Sequence, residues 1–364
     1  MKFKCEKEIL EKAFGLAKKA SPNRNLSNPV LSGIYLELTQ NNLVIIGTDL
    51  DLTIRTEVEV GGEKDGKAVI PGGLATEIIK ALENGKVSFE TLDEEIQVKA
   101  GKSDFSLRTL PVDEFPQFSE PGGEETTVNT KSLEKAFEQV VKAASIDDAR
   151  PILTGVLLAA EKDGLRLVAT DSYRMAVRDI PNTAILGRDK TVLVPSKALD
   201  VVKTVLKEDT SLIVSLSENE AGFKINNTQI ITRLIEGEFP KYQGLIPEKN
   251  NNKLVVNRED LLTSLQRVRL LAKDATPIRL VMDENKIELV AISQDIGQAK
   301  EEIDGNYKGE EITVAFNPGY LIDGLEVIGS AEVSLETTDA LKPAILKGTE
   351  EEEFLYLLMP VRVS

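Results

Sequence analysis

The sequence predicts an α+β fold in which one domain plan occurs three times along 364 residues. Helical phrases with one apolar face recur at a spacing of about 120 residues, short strand-forming runs follow each of them, and turn phrases repeat in the same order. A repeat of this length exceeds the roughly 20–50 residues of a solenoid unit, so each copy can form a domain with its own core.

Each copy begins with an amphipathic helix. The three phrases are KEILEKAFGLAKKA (7–20), KSLEKAFEQVVKAA (131–144) and NREDLLTSLQRVRLLA (257–272), and the first two share the letters LEKAF. Apolar residues recur every three or four positions, as Leu10, Phe14 and Ala17 do in the first phrase. This spacing places the apolar side chains on one face of a helix and the polar side chains on the other.

Strands and a second helix complete each copy. A proline phrase (NPVLSG, RPILTG or TPIRLV) precedes alternating apolar runs such as IYLELT, LRLVAT and KIELVAI. A strand, a proline and a second amphipathic helix follow in AVIPGGLATEIIKAL (68–82), VLVPSKALDVVKTVL (192–206) and VAFNPGYLIDGLEVI (314–328), because proline suits the first turn of a helix. We therefore expect two helices and about eight antiparallel strands in each copy. Polar, glycine- or asparagine-rich stretches divide the chain into domains 1–121, 122–248 and 249–364.

Composition excludes several classes of function. The chain has no histidine and one cysteine, Cys5, which removes serine–histidine and cysteine–histidine catalysis, an intrachain disulfide and a cysteine-based zinc site. We expect Cys5 to be a small buried strand residue. No apolar run approaches the ~18 residues of a membrane helix, and the N-terminus lacks the apolar core of a secretory signal. A cytoplasmic protein without a membrane partner is predicted.

Two motifs resemble enzyme sites. GGEKDGKA (61–68) approaches a phosphate-binding loop, but Ala68 stands where serine or threonine would bind magnesium, and the segment lies between two strand runs. Asp49 and Asp51 would share one face of a strand, but the second copy repeats only the first aspartate, so turn capping explains Asp49 better. The run Glu350–Glu353 is expected to be a solvated loop. A metal-dependent hydrolase on a repeated β scaffold is kept as the alternative function, whereas the main prediction is a protein without cofactor, metal or catalytic residue.

Charge is divided between helices and the rest of the chain. The net charge is −16, yet the six predicted helical segments together carry +5, so the remaining residues carry −21. The segments counted are 7–20, 71–82, 131–144, 195–207, 257–273 and 317–328. Since screening limits phosphate attraction to about 10 Å, a basic lining can act within an acidic protein. Lys12, Lys135, Lys203 and Arg267 are candidate lining charges for sequence-independent binding of duplex DNA. The alternative is that these residues are helix formers on a solvated face.

The phrases of all three copies, in order, resemble the bacterial DNA polymerase III beta subunit family, the beta sliding clamps. The resemblance covers the whole chain and is carried by the turns Thr48-Asp49 and Thr170-Asp171 and by TDSYRMAV (170–177), FPKY (239–242) followed by LIP, FNPGYLID (316–323) and LMPVR (358–362). It implies a head-to-tail homodimer that forms a closed six-domain ring, with helices inside and sheets outside. It also implies a non-catalytic processivity factor that tethers polymerases to DNA and is placed there by a clamp loader.

The resemblance also assigns residues to sites. DNA contact is implied for Arg24, Lys197 and, in the corresponding loop of the second copy, Arg150; an apolar dimer seam is implied for Phe105, Leu107, Leu270 and Leu271. A pocket for short linear peptides of polymerases and of other replication and repair proteins would consist of Leu153, Thr170, Ser172, Tyr173, Arg174, Met175, Pro240, Leu245, Asn317, Tyr320, Leu341, Leu358, Met359, Pro360, Val361 and Arg362.

In that pocket Arg174 and Arg362 would bind peptide carbonyls or carboxylates, and the aliphatic residues would hold leucine or phenylalanine anchors. The chain departs from some relatives at Gly244, where they have arginine, at Ala275, where they have phenylalanine, and at Pro343, where they have a small polar residue. These departures affect the rim more than the apolar subsites. Packing in the domain cores is the alternative for the apolar pocket residues and for the four seam residues.

Overall fold

The computed structural model describes residues 1–23, 27–187, 190–206, 210–272, 276–284, 286–293 and 295–362, apart from the side chains of Asn129 and Lys131. Over these residues the secondary structure confirms the α+β class, with two α-helices in each copy. The helices are α1 (Lys7–Ala20), α2 (Gly72–Ala81), α3 (Thr130–Val141), α4 (Ser196–Val205), α5 (Arg258–Arg269) and α6 (Pro318–Val327).

Within the described residues the first copy has nine strands, the second eight and the third nine. The first copy has β1 (Lys2–Glu6), β2 (Gly33–Thr39), β3 (Asn42–Thr48), β4 (Leu52–Glu59), β5 (Gly61–Lys64), β6 (Gly66–Pro71), β7 (Lys86–Leu92), β8 (Glu95–Ala100) and β9 (Ser103–Arg108). The second has β10 (Glu124–Asn129), β11 (Gly155–Glu161), β12 (Gly164–Thr170), β13 (Arg174–Pro181), β14 (Thr191–Pro195), β15 (Ser211–Leu216), β16 (Glu220–Ile225) and β17 (Thr228–Arg233). The third has β18 (Asn252–Asn257), β19 (Ile278–Met282), β20 (Ile287–Ser293), β21 (Gly297–Ile303), β22 (Gly305–Lys308), β23 (Ile312–Phe316), β24 (Glu332–Thr337), β25 (Ala344–Gly348) and β26 (Phe354–Leu358).

The first compact unit comprises residues 1–131 and 198–234. It contains a five-stranded sheet, β5-β1-β7-β8-β9, and an eight-stranded sheet, β10-β15-β16-β17-β4-β3-β2-β6. Antiparallel pairing of β4 with β17 joins strands of the first and second copies, with Ile54 opposite Ile230. The apolar face of α1 is buried as predicted, and its Phe14 stacks on Phe89 in the core.

The second compact unit comprises residues 132–197 and 235–364. Its nine-stranded sheet has the order β14-β11-β12-β13-β26-β25-β24-β18-β22, and a four-stranded sheet has the order β21-β20-β19-β23. Antiparallel pairing of β13 with β26 joins strands of the second and third copies, with Met175 opposite Leu357. The middle copy is thus divided between the two compact units, because each of its outer strands extends a sheet of a neighbouring copy.

Three local predictions, for Cys5, for the GGEKDGKA segment and for Asp49, are confirmed. Cys5 is buried in β1. The GGEKDGKA segment forms parts of β5 and β6, so no helix follows it as a phosphate-binding loop requires. Asp49 accepts hydrogen bonds from the amides of Asp51 and Leu52, which is turn capping. Within the described ranges no group of three or more cysteine or acidic residues could hold a metal ion, and no helix there is long and apolar enough to cross a membrane.

One prediction about the acidic run Glu350–Glu353 is wrong. Glu351 is only 8% exposed, and its carboxylate accepts hydrogen bonds from the side chains of Lys135 (2.6 Å) and Gln139 (3.2 Å) and from the backbone amide of Gly329 (3.0 Å). Its two neighbours on either side, Glu350 and Glu352, are exposed. Glu351 therefore ties α3 of the second copy to the third copy, within the second unit.

Candidate functional site

The predicted pocket turn is built on a buried cation. Arg174 Nε donates to Asp171 Oδ2 (3.0 Å), while Nη1 donates to Asp323 Oδ2 (2.5 Å) and to the Tyr356 hydroxyl (3.2 Å). The Arg174 side chain is 10% exposed. Two donor atoms of Arg174, Nε and Nη1, are thus used within the protein, and its contact with a peptide stays a prediction. Burial raises the pKa of Tyr356 and keeps its hydroxyl neutral.

Two tyrosines extend this cation toward the surface. The Tyr320 ring lies 4.5 Å from Arg174 Cζ, and Tyr173 stacks on Tyr320 with ring centroids 6.4 Å apart and an interplanar angle of 22°. Asn317 fixes the start of α6 by accepting from the amides of Gly319 and Tyr320. Tyr173 is 58% exposed. The Tyr173 ring is therefore exposed to solvent and stacks on Tyr320, which in turn packs on the Arg174 guanidinium held by two carboxylates.

The C-terminal tail runs alongside this turn. Met359 donates its amide to the carbonyl of Tyr173 (2.8 Å), and Val361 donates to the carbonyl of Ala315 in β23 (2.8 Å). Met359, Pro360 and Val361 are half-buried, whereas Arg362 is exposed. The tail is thus fixed by backbone bonds and keeps part of its apolar side chains at the surface.

An apolar cluster lies beneath the turn and the tail. It consists of Val168, Met175, Val177, Tyr242 and Leu357, with Leu157, Phe239, Ile246, Leu355 and Met359 packed against it. Met175 is almost fully buried, as are Thr170, Leu153 and Leu358, so these four predicted pocket residues form its floor or the core below it. For them the alternative of core packing describes the chain at least as well as a lining role.

The remaining predicted pocket residues are at the surface. Leu245 and Leu341 are exposed large apolar side chains, and Pro240 is also exposed. A Cβ at Gly244 would meet nothing within 4 Å, so the rim is open at this departure from some relatives. Pro343 is half-buried, and Ala275 lies outside the described residues.

The turn of the first copy shows the same backbone without the same surface. Leu50 and Ser172 have φ of 79° and 81°, and Arg233 donates its amide to the Asp51 carbonyl (2.9 Å) as Met359 does to Tyr173. Yet Asp51 and Arg233 form an exposed ion pair (3.7 Å) where the second copy has tyrosine and methionine. The sequence difference therefore changes the surface and not the turn.

The predicted DNA contacts are placed differently from one another. Arg150 donates from Nη1 to Ser172 Oγ (3.3 Å) and from Nε to Asp147 Oδ2 (3.1 Å), so it lies next to the pocket turn. Lys197 is at the start of α4, and Arg24 lies outside the described residues.

Three of the four candidate lining cations are engaged in ion pairs within the chain. Lys135 pairs with Glu351 (2.6 Å), Lys203 with Asp200 (2.9 Å) and Arg267 with Glu301 (2.5 Å). The fourth, Lys12, is exposed on α1.

The predicted seam residues differ in exposure. Leu270 is 81% exposed and Phe105 is exposed on β9, an edge strand, whereas Leu271 is half-buried. Leu107 is 6% exposed and belongs to the core of the first unit. In the isolated chain the core-packing alternative therefore describes Leu107, because its side chain points from the edge strand toward the core.

Comparison with known proteins decides the family. Three domain models of the DNA polymerase III beta subunit match consecutive parts of the chain: the N-terminal domain at 1–119, the central domain at 127–241 and the C-terminal domain at 243–362. The chain belongs to this family, the bacterial beta sliding clamps. Sliding clamps are non-catalytic processivity factors of DNA polymerase III, so the hydrolase alternative is not supported, and the resemblance seen in the sequence is confirmed.

Relatives match this clamp over its whole length. The beta sliding clamp of Streptomyces coelicolor is 35% identical, and that of Bacillus subtilis is 30% identical, each covering 100% of both chains. The solved DNA polymerase III beta subunit of Thermotoga maritima aligns over 100% of both chains with a TM-score of 0.89 at 27% identity. A solved Pseudomonas aeruginosa sliding clamp bound to griselimycin aligns over 100% of both chains with a TM-score of 0.87 at 26% identity.

Sequence reasoning missed the groups that hold the turn in place. Asp171, Asp323 and Tyr356 all contact Arg174, and the first two occur in phrases that carried the resemblance. Their spacing gives no sign of this contact, because Asp323 is 149 positions from Arg174 along the chain. Pairing of β13 with β26 brings these parts of the second and third copies together.

Proposed function

We propose that this clamp closes around duplex DNA as a head-to-tail homodimer and holds polymerases on the duplex through a peptide pocket. The observation that carries the proposal is the end-to-end match of three consecutive clamp domains. The matched ranges also support domains 1–121, 122–248 and 249–364. Two such chains supply the six domains of the ring that the family resemblance implies.

The seam is proposed to join β9 of one protomer to the third domain of its partner. Exposed Phe105 on an unpaired sheet edge and exposed Leu270 after α5 support this assignment, because apolar side chains and free edge strands favour association. Half-buried Leu271 adds apolar surface, while Leu107 supports the edge strand from inside the core.

Contact with DNA is proposed to be weak and independent of sequence. Arg24, Arg150 and Lys197 are the proposed phosphate-binding residues. Pairing of other helix cations, as in Arg267 with Glu301, lowers the net positive field that a duplex would meet. A ring that retains DNA by topology needs only such weak contacts, which allow it to slide.

The pocket is proposed to lie at Tyr173, Tyr320 and the tail. Its further residues are Leu153, Thr170, Ser172, Arg174, Met175, Pro240, Leu245, Asn317, Leu341, Leu358, Met359, Pro360, Val361 and Arg362. The supporting feature is an exposed aromatic ring beside half-buried tail residues and a buried apolar cluster, the combination that suits a peptide with leucine or phenylalanine anchors. Arg362, which is exposed, remains the donor proposed for peptide carbonyls or carboxylates.

The proposed partners are polymerase catalytic subunits, a clamp loader, and other replication and repair proteins with short linear motifs. The griselimycin complex of the Pseudomonas aeruginosa clamp supports a ligand site on clamps of this kind. A cytoplasmic location follows from these partners and is proposed with them.

Encirclement is tested by retention on DNA of different topology. Clamp loaded onto nicked circular DNA should co-elute with it in gel filtration and should be released when a restriction enzyme linearises the circle. Retention on the linear product would instead indicate binding by affinity and would contradict the ring.

The pocket is tested by Tyr173→Ala with Asp51→Ala as its matched control in the first-copy turn. Truncating an exposed aromatic anchor should weaken binding of the polymerase catalytic subunit at least about tenfold, whereas the control should bind like wild type. Equal binding by both variants in surface plasmon resonance would place the peptide site elsewhere.

A further inference from the structure

The segment 239–246 is a candidate wall of the pocket, and its aromatic residues fasten it to the nine-stranded sheet. Tyr242 is buried, meets Phe239 edge-on with ring centroids 6.3 Å apart, and packs with Met175 and Leu357. A short 3-10 turn follows, in which Leu245 donates its amide to the Tyr242 carbonyl (2.9 Å). The backbone of Leu245 is therefore tied to that of Tyr242, and the position of the exposed Leu245 side chain depends on the position of Tyr242.

Arg166 and Asp179 form an ion pair on the sheet beside this segment. They are directly opposite each other on β12 and β13, and Arg166 donates from Nε and Nη2 to the two carboxylate oxygens of Asp179 at 2.7 and 2.9 Å. These bonds raise the pKa of Arg166. The next cross-strand pair on the same face of the sheet is Val168 and Val177, which pack in one apolar cluster with Tyr242. A bidentate pair fixes the plane of a guanidinium as well as its position, so the charged pair that borders the Tyr242 cluster is oriented.

The first copy holds the equivalent phrase in a related way. Arg55 on β4 pairs with Glu57 (2.5 Å), and its Cζ lies 5.3 Å from the ring centroid of Phe118, the last aromatic of FPQF. Tyr242 is the last aromatic of FPKY. An arginine held by a carboxylate thus contacts this position of the phrase in the first copy and borders the cluster that contains it in the second, although the two arginines are on different strands. Only in the second copy does the fastened segment lead to Leu245.

We propose that Arg166 and Asp179 are positioning residues for partner peptides: they fix Tyr242, and through it they pre-order Leu245 as a wall for an apolar peptide anchor. The inference rests on the proposed pocket. A wall that is ordered before binding spares the peptide the cost of ordering it, so loss of the pair should appear mainly as faster dissociation.

The test uses Asp179→Ala and Arg166→Ala in the full-length dimer, with Asp163→Ala as a control that removes an exposed carboxylate in the turn between β11 and β12. The probe is a fluorescein-labelled synthetic decapeptide with leucine and phenylalanine anchors, followed by stopped-flow anisotropy. Both variants should bind about three- to fivefold more weakly through a faster off-rate, and the control should match wild type. Thermal midpoints close to wild type are expected, since the Arg166–Asp179 pair is partly solvated.

A double-mutant cycle separates positioning from general structural damage. Leu245→Ala alone should weaken the peptide, and adding Asp179→Ala to it should have no further effect, because the wall that the pair orders is then gone. If Asp179→Ala binds like wild type while Leu245→Ala is weak, or if the two effects add in full, the positioning role is overturned and the pocket stands. If Tyr173→Ala also leaves peptide binding unchanged, the pocket proposal itself fails.

Discussion

Replacing Glu351 with alanine should destabilise the second compact unit by about 2 kcal/mol. The carboxylate accepts from Lys135, Gln139 and Gly329, but these donors are not equal. Lys135 Nζ and the Gly329 amide can return to water, because both residues are partly or largely exposed, so each contributes little. Gln139 is fully buried, and loss of its charge-assisted bond accounts for most of the expected change.

The assay is thermal unfolding followed by circular dichroism at one fixed protein concentration. For a unit of this size, about 2 kcal/mol corresponds to a fall in Tm of roughly 4–8 °C. Glu350→Ala is the matched control, because that neighbour is exposed, and its Tm should stay within about 1 °C of wild type. Equal Tm values for the two variants would show that the cost of burying Glu351 cancels its hydrogen bonds and would refute the reasoning.

Four further results are expected. Leu270→Asp should shift the dimer toward monomer in analytical ultracentrifugation, because it places a charge on exposed apolar surface; a dimer at low micromolar concentration would contradict the seam. Deleting residues 360–364 should abolish polymerase binding in a pull-down and leave the dimer intact. Glu301→Gln should free Arg267 and steepen the salt dependence of DNA retention by up to about one counterion; an unchanged slope would show that this cation does not meet DNA. Neighbouring lysines hold the pKa of Glu336 below its usual value against the opposing effect of burial, so its stabilisation is present above pH 4.5 and is lost on acidification, and Glu336→Gln should unfold with a flatter pH profile there.

Local structure was predictable from the sequence wherever apolar residues recur at one regular spacing. The helix at 7–20 was predicted to its ends, and the helices that begin near 131 and 257 stop about three residues earlier than predicted, because the last apolar residues pack after the helix has unwound. Turn capping by Asp49 was also predictable, since the carboxylate bonds to amides two and three residues onward.

Burial of single residues was not predictable in the same way. Glu351 is within a run of four glutamates that reads as solvated, but α3 approaches it from more than 200 positions away. Phe105 and Leu107 are two residues apart on β9 and so share one face of the strand, yet Leu107 is in the core and Phe105 is 39% exposed. In both cases the decisive neighbour belongs to a different element, and sequence spacing carries no information about it.

Pairing of strands between copies explains why the turn of the second copy carries a buried arginine and that of the first does not. In both units a strand of a later copy pairs with the strand after the turn: β17 with β4, and β26 with β13. The turn and its backbone bonds are therefore the same, and the surface depends on the side chains that the two strands bring. An arginine can be buried at this position only where Asp323 and Tyr356 of the third copy meet it. The first copy has Leu52 there, which needs no such partners. A turn built on a buried arginine is thus possible in the second copy, because the third copy supplies Asp323 and Tyr356 to complete it.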